Sequence, residues 1–414
     1  MKAPVVLLLL LATAKGFASG VPADLPPPAV VEKALAAHPG VRAARAELRG
    51  AAAEASRLRA GEYEYGLRLA TQRRSAGNGP DYTEWSAGLE RGLRLGGKAS
   101  LDAQIGELGR SEYEERLGEA RHEAARELLD LWYASRKASL EARLWRQQVS
   151  LLEDQKRIVD TRVRRGDAAR LDALQAQAAL AQAQSSAVAS EAREGIALAE
   201  LRVRYPELPA PQDNSVSPVV PEGDELAWLD RTLAHNHELL AIRRALGKAR
   251  LLARRSEAEG VPDPVLGLYL ASEQGGAERI LGLSLSLPLP GEGRGAQTRV
   301  RLAQAEVLAE QEAALIRQIK ARVAGNWRLA VAEVETWQRL EEVALVAEKH
   351  ADLARRALAL GELGLSDTLL ARRNALDSRL AAGQARLAAN EAIARLLLDA
   401  HQLWPLADVD QPID

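Results

Sequence analysis

The chain has 414 residues, 55 of them basic and 57 acidic, for a formal net charge of −2. That balance has no basic excess to neutralise phosphates, so nucleic-acid binding receives no support. Cysteine is absent, which excludes disulfides, thiolate metal sites and a lipid-modified N-terminal cysteine. Aromatics are only 4 % of the chain, and the apolar content is mostly Ala and Leu, which suits closely packed helices.

Residues 1–18 read as an export signal. Lys2 is the positive start, Val5 to Ala14 the apolar stretch, and Gly16-Phe17-Ala18 a small-x-small cleavage site. The apolar run is too short for the ~20 residues a spanning helix needs. No other stretch reaches that length without charges. If the exported chain spans a membrane, it must do so with strands.

After the Pro-rich segment Pro22 to Pro28, the pattern predicts a first helix over about residues 30–60. The apolar period then changes from 3.6 to 2. Tyr63, Tyr65, Leu67 and Leu69 share one face of a strand over about 62–72. A loop at Gly77-Asn78-Gly79-Pro80 leads to a second strand over about 83–95, with Trp85, Ala87, Leu89, Leu93 and Leu95 on its apolar face. A long helix follows over about 98–164, roughly 100 Å at 1.5 Å per residue. Its Ala124, Leu128, Leu131, Ser135, Ala138 and Ala142 step by four and three, as in a coiled-coil seam. Gly166 ends it, and a returning helix carries Leu171, Leu174, Ala178, Ala181, Ser185, Val188 and Ala192 to residue 204.

A Pro-rich linker, 205–224, precedes a second copy of the same plan over 225–404. A short helix spans about 224–259, strands about 264–272 and 279–289, and a long helix about 295–360. Gly361 makes the turn, Ser366 to Leu403 returns, and 405–414 is a polar tail. The copies, 19–204 and 225–404, repeat about 195 to 200 residues apart, with no gap from Trp132 to Leu174. Gly66-Leu67-Arg68-Leu69-Ala70 returns as Gly267-Leu268-Tyr269-Leu270-Ala271, and Trp132 as Trp327. Gly166, Asp167, Asp172 and Leu174 return as Gly361, Glu362, Asp367 and Leu369, at a constant offset of 195. The fold class expected is mainly α with a small β part, built from a duplicated unit. A lone hairpin is marginal in water. Four strands cannot close a membrane barrel, which needs about eight, so several chains must contribute if one forms.

These stretches resemble the TolC-like outer-membrane efflux factor family over the whole mature chain. Leu35-Ala36-Ala37-His38-Pro39 is similar to its helix start. Leu89 to Lys98, ending Gly-Gly-Lys, and Ser286 to Gly295 are similar to its two strand-to-helix motifs. Gly361 to Asp367 is similar to its periplasmic tip. The resemblance implies a homotrimer in the outer membrane of a Gram-negative bacterium. Each chain would give four strands to a twelve-stranded barrel continuous with a periplasmic α-helical barrel. Its partners would be outer-membrane lipid, a periplasmic adaptor protein and an inner-membrane pump. The branch serving heavy-metal or cation pumps of the resistance-nodulation-division type is the nearest in flavour.

Candidate residues follow. Asp367, with its equivalent Asp172, would narrow the periplasmic aperture, where three carboxylates on one axis favour cations. The family's next acidic position falls on Leu370. The bland reading of both Asp is an anion at a helix N-terminus. Arg165, Gly166 and Asp167, with Leu360, Gly361 and Glu362, form the helical tips expected to dock the adaptor. Tyr63, Tyr65, Tyr82, Trp85 and Tyr269 are expected as interfacial aromatics.

His235-Asn236-His237 lacks accompanying carboxylates or cysteines and matches the helix start at 37–39, so no metal site is read there. Gly291 to Gly295 lacks the ending of a phosphate loop. The six histidines lie scattered along the chain, no nucleophile, base and orienting group cluster, and neither catalysis nor a cofactor is expected. The reading is an efflux duct. The alternatives are a poreless periplasmic coiled-coil scaffold and an outer-membrane channel for protein secretion.

Overall fold

The computed structural model describes residues 24–404 except 76, 78, 213 and 290. The export signal at 1–18 and the tail at 405–414 lie outside the described residues. The elements run α1 (Pro28–Ala37), α2 (Pro39–Ala60), β1 (Gly66–Arg74), β2 (Tyr82–Gly92), α3 (Lys98–Arg165) and α4 (Arg170–Arg204). The second copy gives α5 (Glu225–His235), α6 (His237–Ala258), β3 (Val265–Glu273), β4 (Glu278–Ser286), α7 (Gly293–Leu360) and α8 (Leu365–Asp399).

Each short helix expected from the sequence is two helices. The first breaks at His38, whose backbone is extended with ψ 132°. Pro39 disfavours the helical conformation in the residue before it and then starts α2 with its preset φ. The second breaks at Asn236. Its side chain accepts from the Leu239 N–H at 2.8 Å and so caps α6. The strands also shift. β1 begins at Gly66 because the Arg91 guanidinium holds the Tyr63 carbonyl outside the ladder. β4 stops at Ser286, two residues before Pro288, which has no N–H to give.

The four strands form one antiparallel sheet in the order β1-β2-β3-β4. The joint between copies is β2 with β3, in the register Leu89 to Leu268 and Ala87 to Leu270. Near the sheet, α2 and α6 pack along α3, and α6 also packs on α7. Farther away, α4 packs on α3, and α8 packs on α3 and α7. Small residues set the spacing. A Cβ on Gly106 would meet the Ala55 backbone at 2.8 Å, and one on Gly383 would meet the Leu140 side chain at 2.6 Å. The α3 seam is buried as its period implies, with Ala124, Leu128, Ser135 and Ala142 inside. The α4 stripe is not. Leu171, Leu174, Val188 and their companions face outward, and α4 instead buries Ala176, Ala183, Ala187 and Ser190.

The equivalent tryptophans fasten the entrance of each copy. The Trp132 indole N–H donates to the Asp24 carbonyl at 2.9 Å, and that of Trp327 to the Gly223 carbonyl at 3.4 Å. Arg136 adds a buried ion pair to the Asp24 carboxylate at 2.7 Å.

The strands meet the helices at a buried ion pair. The Lys98 ammonium, 1 % exposed, lies 2.6 Å from the Asp263 carboxylate and donates to the Val261 carbonyl at 2.7 Å. Asp263 also accepts from the Leu95 N–H and the Tyr63 hydroxyl, both at 2.9 Å. Burial alone would push this carboxyl up, but Lys98, Leu95 and Tyr63 outweigh it and hold it below the usual carboxylate range. A carboxyl depressed on folding stabilises above its unfolded pKa and loses that contribution as the pH falls through the folded value. Beside it, Arg94 donates to the Leu58 and Arg59 carbonyls that end α2 and pairs with Asp102 at 3.0 Å. Replacing Lys98 by Ala leaves a buried charge unpaired. It should cost about 3–5 kcal/mol, read as a lowered melting temperature of the detergent-solubilised protein. Adding Asp263→Asn to Lys98→Met should recover most of that loss, because Asn keeps the acceptor without the charge.

Candidate conduit wall and its two ends

The strand period gives the sheet two unlike faces. On one lie Leu67 and Leu69 of β1, Leu89 of β2, Leu266, Leu268 and Leu270 of β3, and Leu281, Leu283 and Leu285 of β4. All nine are exposed; Leu283 is 77 % exposed. Such a band is far larger than the scattered apolar residues of a soluble surface. Charges on this face sit only at its ends. Arg91 lies beside the helices, with its guanidinium 4.6 Å over the Tyr65 ring. Arg73, at the loop end, pairs with Asp81 at 2.6 Å.

The other face carries small residues and paired charges. Arg68 pairs with Glu90 at 2.9 Å. Glu84, 2 % exposed, accepts from Gln72 at 2.8 Å, from Arg74 at 3.0 Å and from the Gln274 N–H at 3.2 Å. Arg74 reaches on to Glu273 at 2.8 Å, so this network ties the two hairpins together. Tyr269 lies across Gly282, where a Cβ would come within 2.3 Å of the ring.

The five aromatics singled out from the sequence are divided by this geometry. Trp85 stands on the leucine face, and Tyr82 and Tyr269 on the polar one, opposite Arg74 and Gly88 respectively. Tyr63 and Tyr65 precede β1 at the helical end, where their hydroxyls meet Asp263 and Arg91.

At the far end the two copies turn identically. Gly166 has φ 83° and Gly361 φ 78°, left-handed values that favour glycine. The Gly166 N–H donates to the Val163 carbonyl and that of Asp167 to Arg162. The Gly361 N–H donates to Leu358 and that of Glu362 to Ala357. These are two Schellman turns. Arg165, Asp167, Leu360 and Glu362 beside them are exposed. Asp172 and Asp367 stand in the first turns of α4 and α8. Asp172 is half-buried and Asp367 exposed, as is Leu370 one turn on. Val159, Ala176 and Leu365 pack between the tips, and the Ser366 hydroxyl donates to Gln175 at 3.1 Å.

Four of the six histidines, far apart along the sequence, meet in the fold: His122, His235 and His237 gather around His401. Sequence separation hid them, since His122 and His401 lie in different copies. The sole local signal was His235-x-His237. Among the described residues no three His, Asp or Glu side chains are arranged to hold a metal ion, and no helix is long and apolar enough to cross a membrane.

Residues 30–203 match the model of the outer membrane efflux protein family. No curated protein matches the sequence. Solved structures match nearly end to end. The outer-membrane channel OprN gives a TM-score of 0.76 at 19 % identity, covering 90 % of this chain and 89 % of that one. The CmeC outer membrane channel of Campylobacter jejuni gives 0.72 at 16 % identity, covering 92 % and 86 %. CusC gives 0.69 at 14 % identity, covering 90 % and 91 %. At these identities the structures establish the fold alone. Residues 30–203 thus resemble the outer membrane efflux protein family, and the chain has the TolC-like channel fold over at least 90 % of its length.

Proposed function

We propose that three copies of this chain build an exit duct in the outer membrane of a Gram-negative bacterium. The duct passively conducts small solutes, metal cations or drugs, handed over by an inner-membrane pump and a periplasmic adaptor. Proteins of the matched family are outer-membrane efflux channels and not enzymes. The observation that carries the reading is the sheet. It has nine exposed leucines on one face, paired charges on the other and two unpaired edges, β1 and β4. In lipid every backbone group must be bonded, so open edges require neighbours. Three sheets of four strands close into twelve, wide enough for a wet lumen. Strands of 9 to 11 residues are the length a tilted spanning strand needs. The outward stripes of α4 (Leu171, Leu174, Val188) and α7 (Leu345, Val346, Leu353) also call for neighbouring chains to cover them.

In such a trimer the polar face lines the lumen and the leucine face meets lipid. Asp367, with Asp172, narrows the periplasmic aperture. The tips at Arg165–Asp167 and at Leu360–Glu362 receive the adaptor. Because Leu370 stands one turn after Asp367, α8 gives a single ring of three carboxylates with no second ring behind it.

Membrane fractionation and the mass of the detergent-solubilised particle test the architecture. Three chains per outer-membrane particle support it; a soluble periplasmic monomer or dimer favours a poreless scaffold. Leu283→Arg should cost about 2–4 kcal/mol if that residue faces mid-membrane lipid, seen as loss of assembled outer-membrane protein. Ser284→Arg, on the opposite face, should assemble normally. Asp367→Ala should raise single-channel conductance in planar bilayers and weaken blockade by divalent cations. Unchanged values would remove Asp367 from the aperture.

A further inference from the structure

The end of α8 is held by histidines. The His401 ring lies 4.8 Å from that of His122 in α3, 5.0 Å from His237 in α6 and 6.0 Å from His235 at the end of α5. His401 occupies a third Schellman turn. Its N–H donates to the Leu398 carbonyl at 2.9 Å, and that of Gln402 to Leu397 at 2.8 Å. At the two tips the matching position is glycine, but here it is a histidine with φ 57°. A side chain in that conformation costs about 1–2 kcal/mol, so its retention calls for a role of the ring.

The partners are oriented by their own bonds. The His122 Nε2, 2.8 Å from the Leu398 carbonyl, donates to it and helps cap α8. Its Nδ1 is therefore the unprotonated nitrogen, buried without a partner. The His237 Nδ1 is 2.9 Å from the Glu115 carboxylate, and its ring covers Gly118 of α3. Beyond the turn, Leu403 and Trp404 are buried in the core around α3.

Burial, reinforced by Arg126, disfavours a further positive charge at the site. From α3 come the charges of Arg126, Glu115 and Glu119, from α8 that of Asp399, and from α6 that of Glu238. The acids are engaged: Asp399 and Glu119 bond Arg126, and Glu115 bonds His237. From α7, neutral Asn326 bonds Asp399. Burial first, then His237, His235 and Arg126, bring His401 down to about 4. Burial, Arg126 and His401 bring His122 down to about 3.

We propose that the four histidines form an acid-labile clasp fastening the end of α8 to α3 and to the α5–α6 corner. Released chain takes protons more readily than clasped chain. The clasp is therefore intact above about pH 6.5, the ordinary imidazole value, and is lost as the pH falls toward the depressed values. This inference does not rest on the duct.

Hydrogen–deuterium exchange of peptides covering residues 392–404 tests it on the full chain in detergent, corrected for intrinsic exchange at each pH. In the wild type, protection should hold from pH 8 to 7 and fall by pH 5 on the order of thirtyfold for each of the two depressed histidines, His401 and His122. His401→Gly suits the left-handed turn and should remove the His401 share of that fall while keeping neutral-pH protection. Should that variant fail to fold, His122→Gln keeps a donor to Leu398 without the titration and should flatten it in part. An equal fall in wild type and variants, or none in the wild type, overturns the clasp. Zinc-dependent protection that His401→Gly abolishes would also overturn it, in favour of a metal site.

Discussion

The pairing of β2 with β3 is the contact on which the rest of this chain depends. It joins the two copies, turns two marginal hairpins into one sheet and fixes the register that stacks leucine on leucine. A slip of one residue there would move every leucine of the second hairpin to the polar face. The register is guarded from the polar side, where Glu84 in β2 bonds Gln274 just beyond β3 and Arg74 in β1 bonds Glu273. At the other end of the strands the Lys98–Asp263 pair locks the start of α3 to the start of β3. The sheet is thereby held to a stiff helical base at the level where leucine gives way to charge.

The helical part obeys a different rule. α3 and α7 are 68 residues each; α3 buries Leu128, Leu129, Trp132 and Tyr133, whereas α7 buries alanine and a few aliphatic side chains. Their packing comes from small residues that let helices approach, as at Gly106 and Gly383. This is why α3 can serve α2, α4, α6 and α8 along one length. It also explains why one chain leaves apolar stripes outside.

The duplication is nearly, not fully, symmetric, and the departures are informative. The end of α4 passes through Tyr205 with φ −133°, whereas the equivalent end of α8 turns through His401 with φ 57°. The two entrances are both fastened by a tryptophan, yet the first adds a buried Arg136–Asp24 pair. Each asymmetry places a charged or titratable group at a junction between layers.

Most of the architecture was legible in the sequence, because it rests on local periods and on repetition. The change from a 3.6 to a 2.0 period located the hairpins, and the constant offset of 195 located the copies and their turns at Gly166 and Gly361. The helix breaks at His38 and Asn236 lay within reach, since Pro39 and an N-cap asparagine are local signals. Three features were decided only by the tertiary structure. The β2–β3 pairing joins strands about 180 residues apart, the α4 stripe could have faced inward or outward, and His122 meets His401 across the two copies. A period states which residues share a face. It does not state what that face will meet, because that depends on contacts between segments far apart in the chain.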